Sequence, residues 1–395
     1  MNSRAEEERS VFRGRFSSCY GAVGIDLSSR AIKMLQLRER SGELAVVGAA
    51  TEPIPFTEDG KVDGEKMTRQ IRHAIATGGF SGRRCVISLP RKQVKIQSIR
   101  LPRMSDPELL EAARWEAAQR FEFDRQAMEV SILRTGASPQ GGESREEVLL
   151  VAASHAVINE YVNPIVTAGL RPLAIDTDFG ATARIFSRQY RREGDRDQVR
   201  VVIEIGESGA TVEILRGDQV AFCKPIGGGG RDFTKAVAEH LQITPKAAEE
   251  LRASRLIAAR HGSEKSVKDE KTDRAVYEAV RPLLGDLVKE VTLCIRYYGV
   301  TFRGRPPFQI ILAGGDGQEP NLDRMIQESC KLPVVYDDQI ETLAGLQRQI
   351  RDSFNRDPGP PGCWAVAAGL SLRGLSEIRH SLTIQNDHGA RRGAA

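Results

Sequence analysis

The sequence predicts an α/β fold of two duplicated lobes, with a smaller α+β unit inserted in the first. Three observations carry this. Residues 20–50 read as three consecutive strands, and residues 199–225 repeat that pattern. Each set opens on an apolar strand that ends in an acid and runs into a small-residue turn. These are Gly24-Ile25-Asp26-Leu27-Ser28-Ser29 in one and Ile203-Glu204-Ile205-Gly206-Glu207-Ser208-Gly209 in the other. Helix and strand units follow both. Two related halves separated by most of a domain imply a cleft between them.

The first meander comprises Gly21–Leu27, Ala31–Arg38 and Leu44–Ala50. Glu65–Ala76 then reads as a helix, with Met67, Ile71 and Ile75 on one face and Gly78-Gly79 ending it. Arg84–Leu89 is a strand, and Gln93–Leu101 alternates as a half-exposed one. Ser105-Asp106-Pro107-Glu108 has capping-box spacing and opens a helix carrying Leu110, Ala113, Ala117 and Phe121 on one face. Met128–Leu133 and Val148–Ala153 return as strands around a Gly/Ser-rich loop, Ala137–Glu147. Residues 90–147 thus form the insert, and Trp115 on its helix is expected in a core or interface. Helix Ala156–Ala168, strand Leu173–Asp176 and helix Phe179–Gln189 lead to a charged hinge, Arg191–Gln198.

The second half repeats three strands, Val199–Ile205, Ala210–Leu215 and Val220–Pro225. Gly227-Gly228-Gly229-Gly230 precedes helix Asp232–Leu241, and Pro245 opens the next, through Ala253. Ala259–Asp273 is highly charged and reads as an exposed loop. A long helix, Arg274–Tyr298, a buried strand, Gln309–Ala313, and helix Leu322–Cys330 follow. Asp357–Gly362 is a sharp Pro/Gly break before a small-residue helix, Trp364–Leu372. The expected domains are an arm at 1–19, a first lobe of 20–198 with 355–375, a second lobe of 199–354, and a tail at 376–395.

Composition narrows the function. The chain has 395 residues, enough for two cores, and a formal charge of only +4. No basic block has interleaved aromatics, so nucleic acid is not an expected partner. The six cysteines form no CxxC pair, and Cys85, Cys223 and Cys294 lie in apolar runs as buried thiols. The six histidines are dispersed without metal-ligand spacing. Residues 1–18 are polar, unlike a secretory signal, and no apolar run approaches the ~20 residues of a membrane span. These features predict a cytoplasmic protein that reaches a membrane only through a partner.

The two turns suit a phosphate site. An acid at a buried strand end can hold water around a divalent metal ion, the turn offers N–H groups and hydroxyls to anionic oxygens, and Lys33 adds a positive charge. Asp26 maps onto Glu204, and Ser28 onto Gly206. Taken alone, the first turn is better read as an ordinary polar hairpin, and the second copy is what changes that reading. No Walker motif or nucleophile elbow occurs.

From about residue 20 to 375 the sequence resembles the actin-like ATPase superfamily, specifically type IV pilus assembly proteins of the PilM type. The similar stretches are GIDLSSRAIK, LPRMSDPELLEAARWEAAQRFEF, EVLLVAASHAVINEYV, AGLRPLAIDTDFGATAR, PIGGGGRDFTKAVAEHL, KAAEELR, IILAGGDGQEPNLDRMI and AVAAGLSLRGL. Residues 101–123 and 168–184 are the specific ones. The resemblance implies an actin-like (ribonuclease-H-like) fold that binds ATP with Mg2+. By resemblance, Gly24, Asp26, Ser28, Ser29 and Lys33 form the first phosphate turn, and Glu204 and Gly206 the second. Asp26 and Glu204 would hold the metal through water, and Asp176 would order metal-bound water as the one catalytic candidate. Gly227 and Gly228 would flank ribose and phosphates, Glu249 and Arg252 would reach the nucleoside, and Gly314 and Gly315 would form the adenosine loop.

The chain departs from that pattern at Ser28 (usually Gly), Glu204 (usually Asp) and Arg252 (more often Lys). These departures favour nucleotide binding over hydrolysis. The implied function is a cytoplasmic scaffold of the pilus inner-membrane platform. It would dock the N-terminal peptide of a PilN-type membrane protein between insert and first lobe, with Gln93–Leu101 as a plausible edge. The alternatives are a small-molecule kinase of the superfamily, with Asp176 as its carboxylate, and a type II secretion platform component. The sequence allows a homo-oligomer, and strand addition by Ile378–Ile384, without specifying either.

Overall fold

A computed structural model describes residues 19–135, 145–188, 190, 192–261, 270–302, 305–336, 340, 343, 345, 346 and 359–375. The expected arm is outside these residues apart from Cys19. The tail is outside them entirely, as are parts of the Ala137–Glu147 loop, the hinge, the Ala259–Asp273 stretch and the Asp357–Gly362 break.

The first lobe is built on strands β1 (Cys19–Leu27), β2 (Ala31–Arg40) and β3 (Glu43–Pro53), helix α1 (Gly64–Thr77) and strand β4 (Arg84–Ser88). The insert contributes β5 (Lys95–Pro102), α2 (Asp106–Phe121), β6 (Met128–Arg134) and β7 (Arg145–Ser154). Helix α3 (His155–Thr167), strand β8 (Arg171–Asp176) and helix α4 (Asp178–Phe186) complete the lobe. The second lobe has β9 (Val199–Gly206), β10 (Gly209–Arg216), β11 (Gln219–Ile226), α5 (Gly230–Leu241), α6 (Pro245–His261) and α7 (Glu270–Phe302). It ends with β12 (Gln309–Ala313), α8 (Leu322–Cys330) and a short strand, β13 (Val334–Tyr336). Residues 365–375 form a last helix, α9.

The duplication is visible in the sheets. The first has order β3-β2-β1-β4-β8 and the second β11-β10-β9-β12-β13. Each is an antiparallel meander extended by two parallel strands, so β1 and β9 occupy equivalent centres. Both strands are almost wholly buried, since helices cover both faces of their sheets. The insert is a separate three-stranded sheet, β5-β7-β6, backed by α2. Its central strand runs on to Ser154, past the expected border near 147, because Val148, Leu150 and Ala152 pack on α2 while Leu149 and Ala153 join the first lobe.

The capping box at α2 forms, with Ser105 N donating to Glu108 Oε2 at 3.0 Å. The helix buries Leu109, with Ala113 and Ala117, rather than Leu110. Trp115 is neither core nor covered by another element. It is 61% exposed, with the Arg125 guanidinium 3.7 Å above its ring.

Helices α4 and α9 close the bottom of the cleft. Their backbones touch: a Cβ on Gly369 would lie 2.0 Å from the Ala181 carbonyl oxygen. Arg184 Nη1 donates to the Gly369 carbonyl at 3.0 Å. One apolar cluster spans the junction, from Leu35 and Leu37 through Phe179, Phe186 and Trp364 to Val202, Leu215 and Cys223. Six cysteines are free thiols, and Cys85, Cys223 and Cys294 are buried.

Candidate functional site

The two strand–turn units meet across one cavity. Asp26, Ser28, Ser29, Lys33, Glu204, Gly206 and Gly315 all line a space of about 470 Å³ at the strand ends. A second cavity of about 960 Å³ lies between α5 and α6, lined by Thr234, Lys235, Glu249 and Arg252. Arg30, Glu207 and Asp316 wall both, so the two abut. Each by itself has the size of a small-ligand site.

Asp26 ends β1 with its side chain buried. Ser88 Oγ donates to its Oδ1 at 3.3 Å. Burial pushes its carboxyl up to about 6; Lys33 opposes this, while Glu204 and Asp178 add to it. Lys33, across the hairpin from Asp26, points its Nζ to the Cys363 carbonyl at 2.8 Å. The Ser28 hydroxyl is turned back into its own turn. It accepts from the backbone N–H of Arg30 at 3.3 Å and of Ala31 at 3.0 Å. Ser29 Oγ instead crosses the cleft and donates to Glu207 Oε2 at 3.3 Å.

Glu204, Asp26's counterpart, is held by a residue the sequence reading passed over. Arg91 follows β4 in a single 3-10 turn. Its Nη2 donates to Glu204, its Nε to Asp178 Oδ2 at 2.9 Å, and its Nη1 to the Gly209 carbonyl at 3.0 Å. Burial would weaken its charge, but Glu204 and Asp178 outweigh that and raise its pKa further. Glu204 thus already gives Oε2 to a guanidinium, and a divalent metal ion held there would meet a like charge beside it. Only the apolar strand end before Leu89-Pro90-Arg91 hinted that Arg91 would face the cleft.

Asp176 faces elsewhere. Its Oδ2 meets Arg184 at 3.0 Å and Arg373 at 3.1 Å, its Oδ1 accepts from Thr177 N at 2.8 Å, and it lines a different groove. Asp178, two residues on, is the acid of this segment in the cleft. The chain turns from strand to helix at Thr177, whose hydroxyl accepts from Gly180 N at 3.0 Å.

The glycines sort by what they touch. A Cβ on Gly24 would lie 2.0 Å from the Ala367 carbonyl oxygen, so Gly24 admits α9 rather than a ligand. Gly314, at φ +89°, lets the loop after β12 approach β9, where a Cβ would fall 2.2 Å from the Ile205 carbonyl oxygen. Gly315 and Gly227 have open space. Gly228, at φ +88°, faces Leu287 of α7. The tight positions are the next two: Gly229 against the second turn's backbone and Gly230 against the Asp316 carboxylate.

On the side expected to meet a nucleoside, Glu249 pairs with Arg30 of the first turn. Arg30 Nε also lies 3.2 Å from Glu207, so it bridges the lobes at the cleft mouth. Arg252 is a buried tie. Nη1 donates to the Gly230 carbonyl at 2.8 Å, and Nη2 to Asp316 at 2.9 Å and Glu319 at 2.8 Å.

The architecture matches known proteins. The chain superposes with TM-score 0.71 on a solved "PilM-PilN type IV pilus biogenesis complex". That match has 22% identity and covers 90% of this chain and 98% of the other. A second match is the ethanolamine utilization protein EutJ of Carboxydothermus hydrogenoformans, with TM-score 0.50, 14% identity and 91% of each chain covered. The fold is the expected actin-like one. The family model described as type IV pilus assembly protein PilM fits residues 24–375, nearly the full length. The chain belongs to that PilM family.

Proposed function

We propose that this protein is an actin-like scaffold of type IV pilus assembly. It works at the cytoplasmic face of the inner membrane, docks the N-terminal peptide of a PilN-type membrane protein, and carries ATP in the interlobe cleft. Among the described residues no helix is long and apolar enough to cross a membrane, and the partner supplies the membrane attachment.

The observation that carries the docking is a groove between insert and first lobe. It is about 380 Å³, floored by Leu89, Val94, Val151, Ala153 and Phe179 and walled by Ile132 and Leu133 of β6 and Ile175 of β8. Both β6 and β8 are outer strands of their sheets, and Leu133 and Ile175 stay 37% and 39% exposed. An extended peptide gains main-chain hydrogen bonds along such an edge, and apolar pockets select its side chains. Asp176, Arg184 and Arg373 give the groove a charged end. The edge expected from sequence, Gln93–Leu101, lies on the other side of the insert. There Ile96, Gln97 and Ser98 share a cavity with Phe222 and Tyr297 of the second lobe.

ATP is supported by the paired turns, the two abutting cavities and the basic groups Arg30, Lys33 and Arg91 around the phosphate side. Hydrolysis is expected to be weak or absent. A small-molecule kinase is not favoured, since Asp176, its proposed carboxylate, is tied by two arginines outside the cleft.

Titration calorimetry with the N-terminal peptide of the PilN-type partner tests the docking. Ile175→Asp should weaken binding at least about tenfold; unchanged affinity would remove the groove from the reading. ATP titration with Asp26→Ala as control tests the cleft.

A further inference from the structure

Arg91 leaves the first lobe and ends among three acceptors at the phosphate turns. Each acceptor uses a different nitrogen: Nε to Asp178, Nη1 to the Gly209 carbonyl and Nη2 to Glu204. The side chains of Arg91 and its two charged partners are only 12–15% exposed. A guanidinium held this way is a permanent, oriented positive charge, because its fork is planar and it does not deprotonate. Two largely buried carboxylates thereby share one counter-charge from within the chain, which leaves the trio with a single net negative charge.

A divalent metal ion makes different demands. Mg2+ needs near-octahedral oxygen ligands at about 2.0–2.1 Å and keeps several waters. At Glu204 it would compete with Arg91 for the carboxylate and meet a like charge beside it. One oxygen of each carboxylate, Asp178 Oδ2 and Glu204 Oε2, already accepts a hydrogen bond from Arg91, and Asp178 Oδ1 accepts from the Phe179 backbone N–H.

We propose that Arg91 is the resident cation of the cleft: it pairs with Glu204 and Asp178 and itself faces the nucleotide's phosphates, so that nucleotide binding does not depend on a metal ion held by those two carboxylates. This rests on the nucleotide reading above. Glu204 is then a positioning residue for Arg91. The nucleotide joins the lobes as a ligand, and the Arg91 guanidinium stands beside both carboxylates at the turns.

The test is a fluorescence titration of the full chain with a fluorescent ATP analogue (mant-ATP), once with Mg2+ and once with excess EDTA. For the unaltered protein the two affinities should agree within about threefold. Arg91→Gln should bind at least about tenfold more weakly in EDTA and recover in Mg2+, because the freed carboxylates can then take the metal. Arg91→Lys, which keeps the charge, should stay insensitive to chelation. A purely structural role for Arg91 would lower affinity equally in both buffers.

An unaltered chain that loses more than about tenfold on chelation overturns the inference. So does a folded Arg91→Gln variant with no new metal dependence. Should Arg91→Gln not fold, the comparison on the unaltered chain and Arg91→Lys decides. Absence of binding in both buffers overturns the nucleotide reading, and this inference with it. Binding that requires Mg2+ overturns this inference alone.

Discussion

The two acidic hairpins occupy equivalent places in equivalent sheets, yet they are held in opposite ways. The first is fixed by close packing. Gly24 lets α9 lie directly on β1, and the Ser28 hydroxyl satisfies its own turn. Its acid, Asp26, has a serine and a lysine nearby, and that lysine is engaged with a backbone carbonyl. The second hairpin is also closely packed, at Gly229 and Gly314, but its acid is held by charge. Glu204 is paired to Arg91, and behind it Arg252 and Arg255 share the buried Glu319. Duplication has preserved the backbone, whereas the partners brought in from elsewhere decide what each acid does.

The largest effect should come from breaking the charged side. Arg252→Leu takes one of two arginine partners from Glu319, which is 1% exposed, and removes a partner of Asp316. Losing one member of a buried pair costs about 3–5 kcal/mol, read as a lower midpoint in urea unfolding. The packed side should break next. Gly24→Val forces a side chain into the Ala367 carbonyl, for about 3 kcal/mol. Gly227→Ala, with open space around it, should stay within about 0.5 kcal/mol and serves as the control.

The two acids themselves sharpen the contrast. Asp26 titrates at about 6 against an ordinary 3.8, so the folded chain binds its proton more tightly than the unfolded one. That stabilisation is present below about pH 4 and is lost as pH rises through 6. Asp26→Asn should therefore stabilise the protein at pH 8 by on the order of 2–3 kcal/mol, with the gain vanishing near pH 4. Melting curves across that range read it, and a pH-independent difference would contradict it. Glu204→Gln should do the reverse. It takes a charged partner from Arg91 and should cost about 1–3 kcal/mol at pH 8.

Much of this frame was legible in the sequence because it is local. Two three-strand meanders, acids at their ends and glycines after β12 are written within short windows. Arg91 was not, because its partners lie 87 and 113 residues away and nothing in Leu89-Pro90-Arg91 names them. Asp176 and Asp178 are separated by one residue, and only the strand-to-helix corner at Thr177 sends one to each side. The Gly227–Gly230 run marked a close approach, but the contact falls on its second half, since Gly229 and Gly230 meet the second turn and Asp316. Strand β13, three residues long, is too short for a periodic signal.

The smallest effect tests the seam where the two hairpins meet. Arg30 of the first turn reaches Glu207 and Glu249 of the second lobe, but its side chain is 53% exposed. Exposed pairs of this kind contribute at most about 1 kcal/mol, and salt screens them. Arg30→Ala should thus lower stability by less than that, with the difference fading in about 0.5 M salt. If instead the loss persists in salt or rivals that of Arg252→Leu, then the lobes are joined at the mouth of the cleft as firmly as at its floor. The contrast between a packed first hairpin and a charge-held second one would then have to give way to a single ionic clasp spanning both.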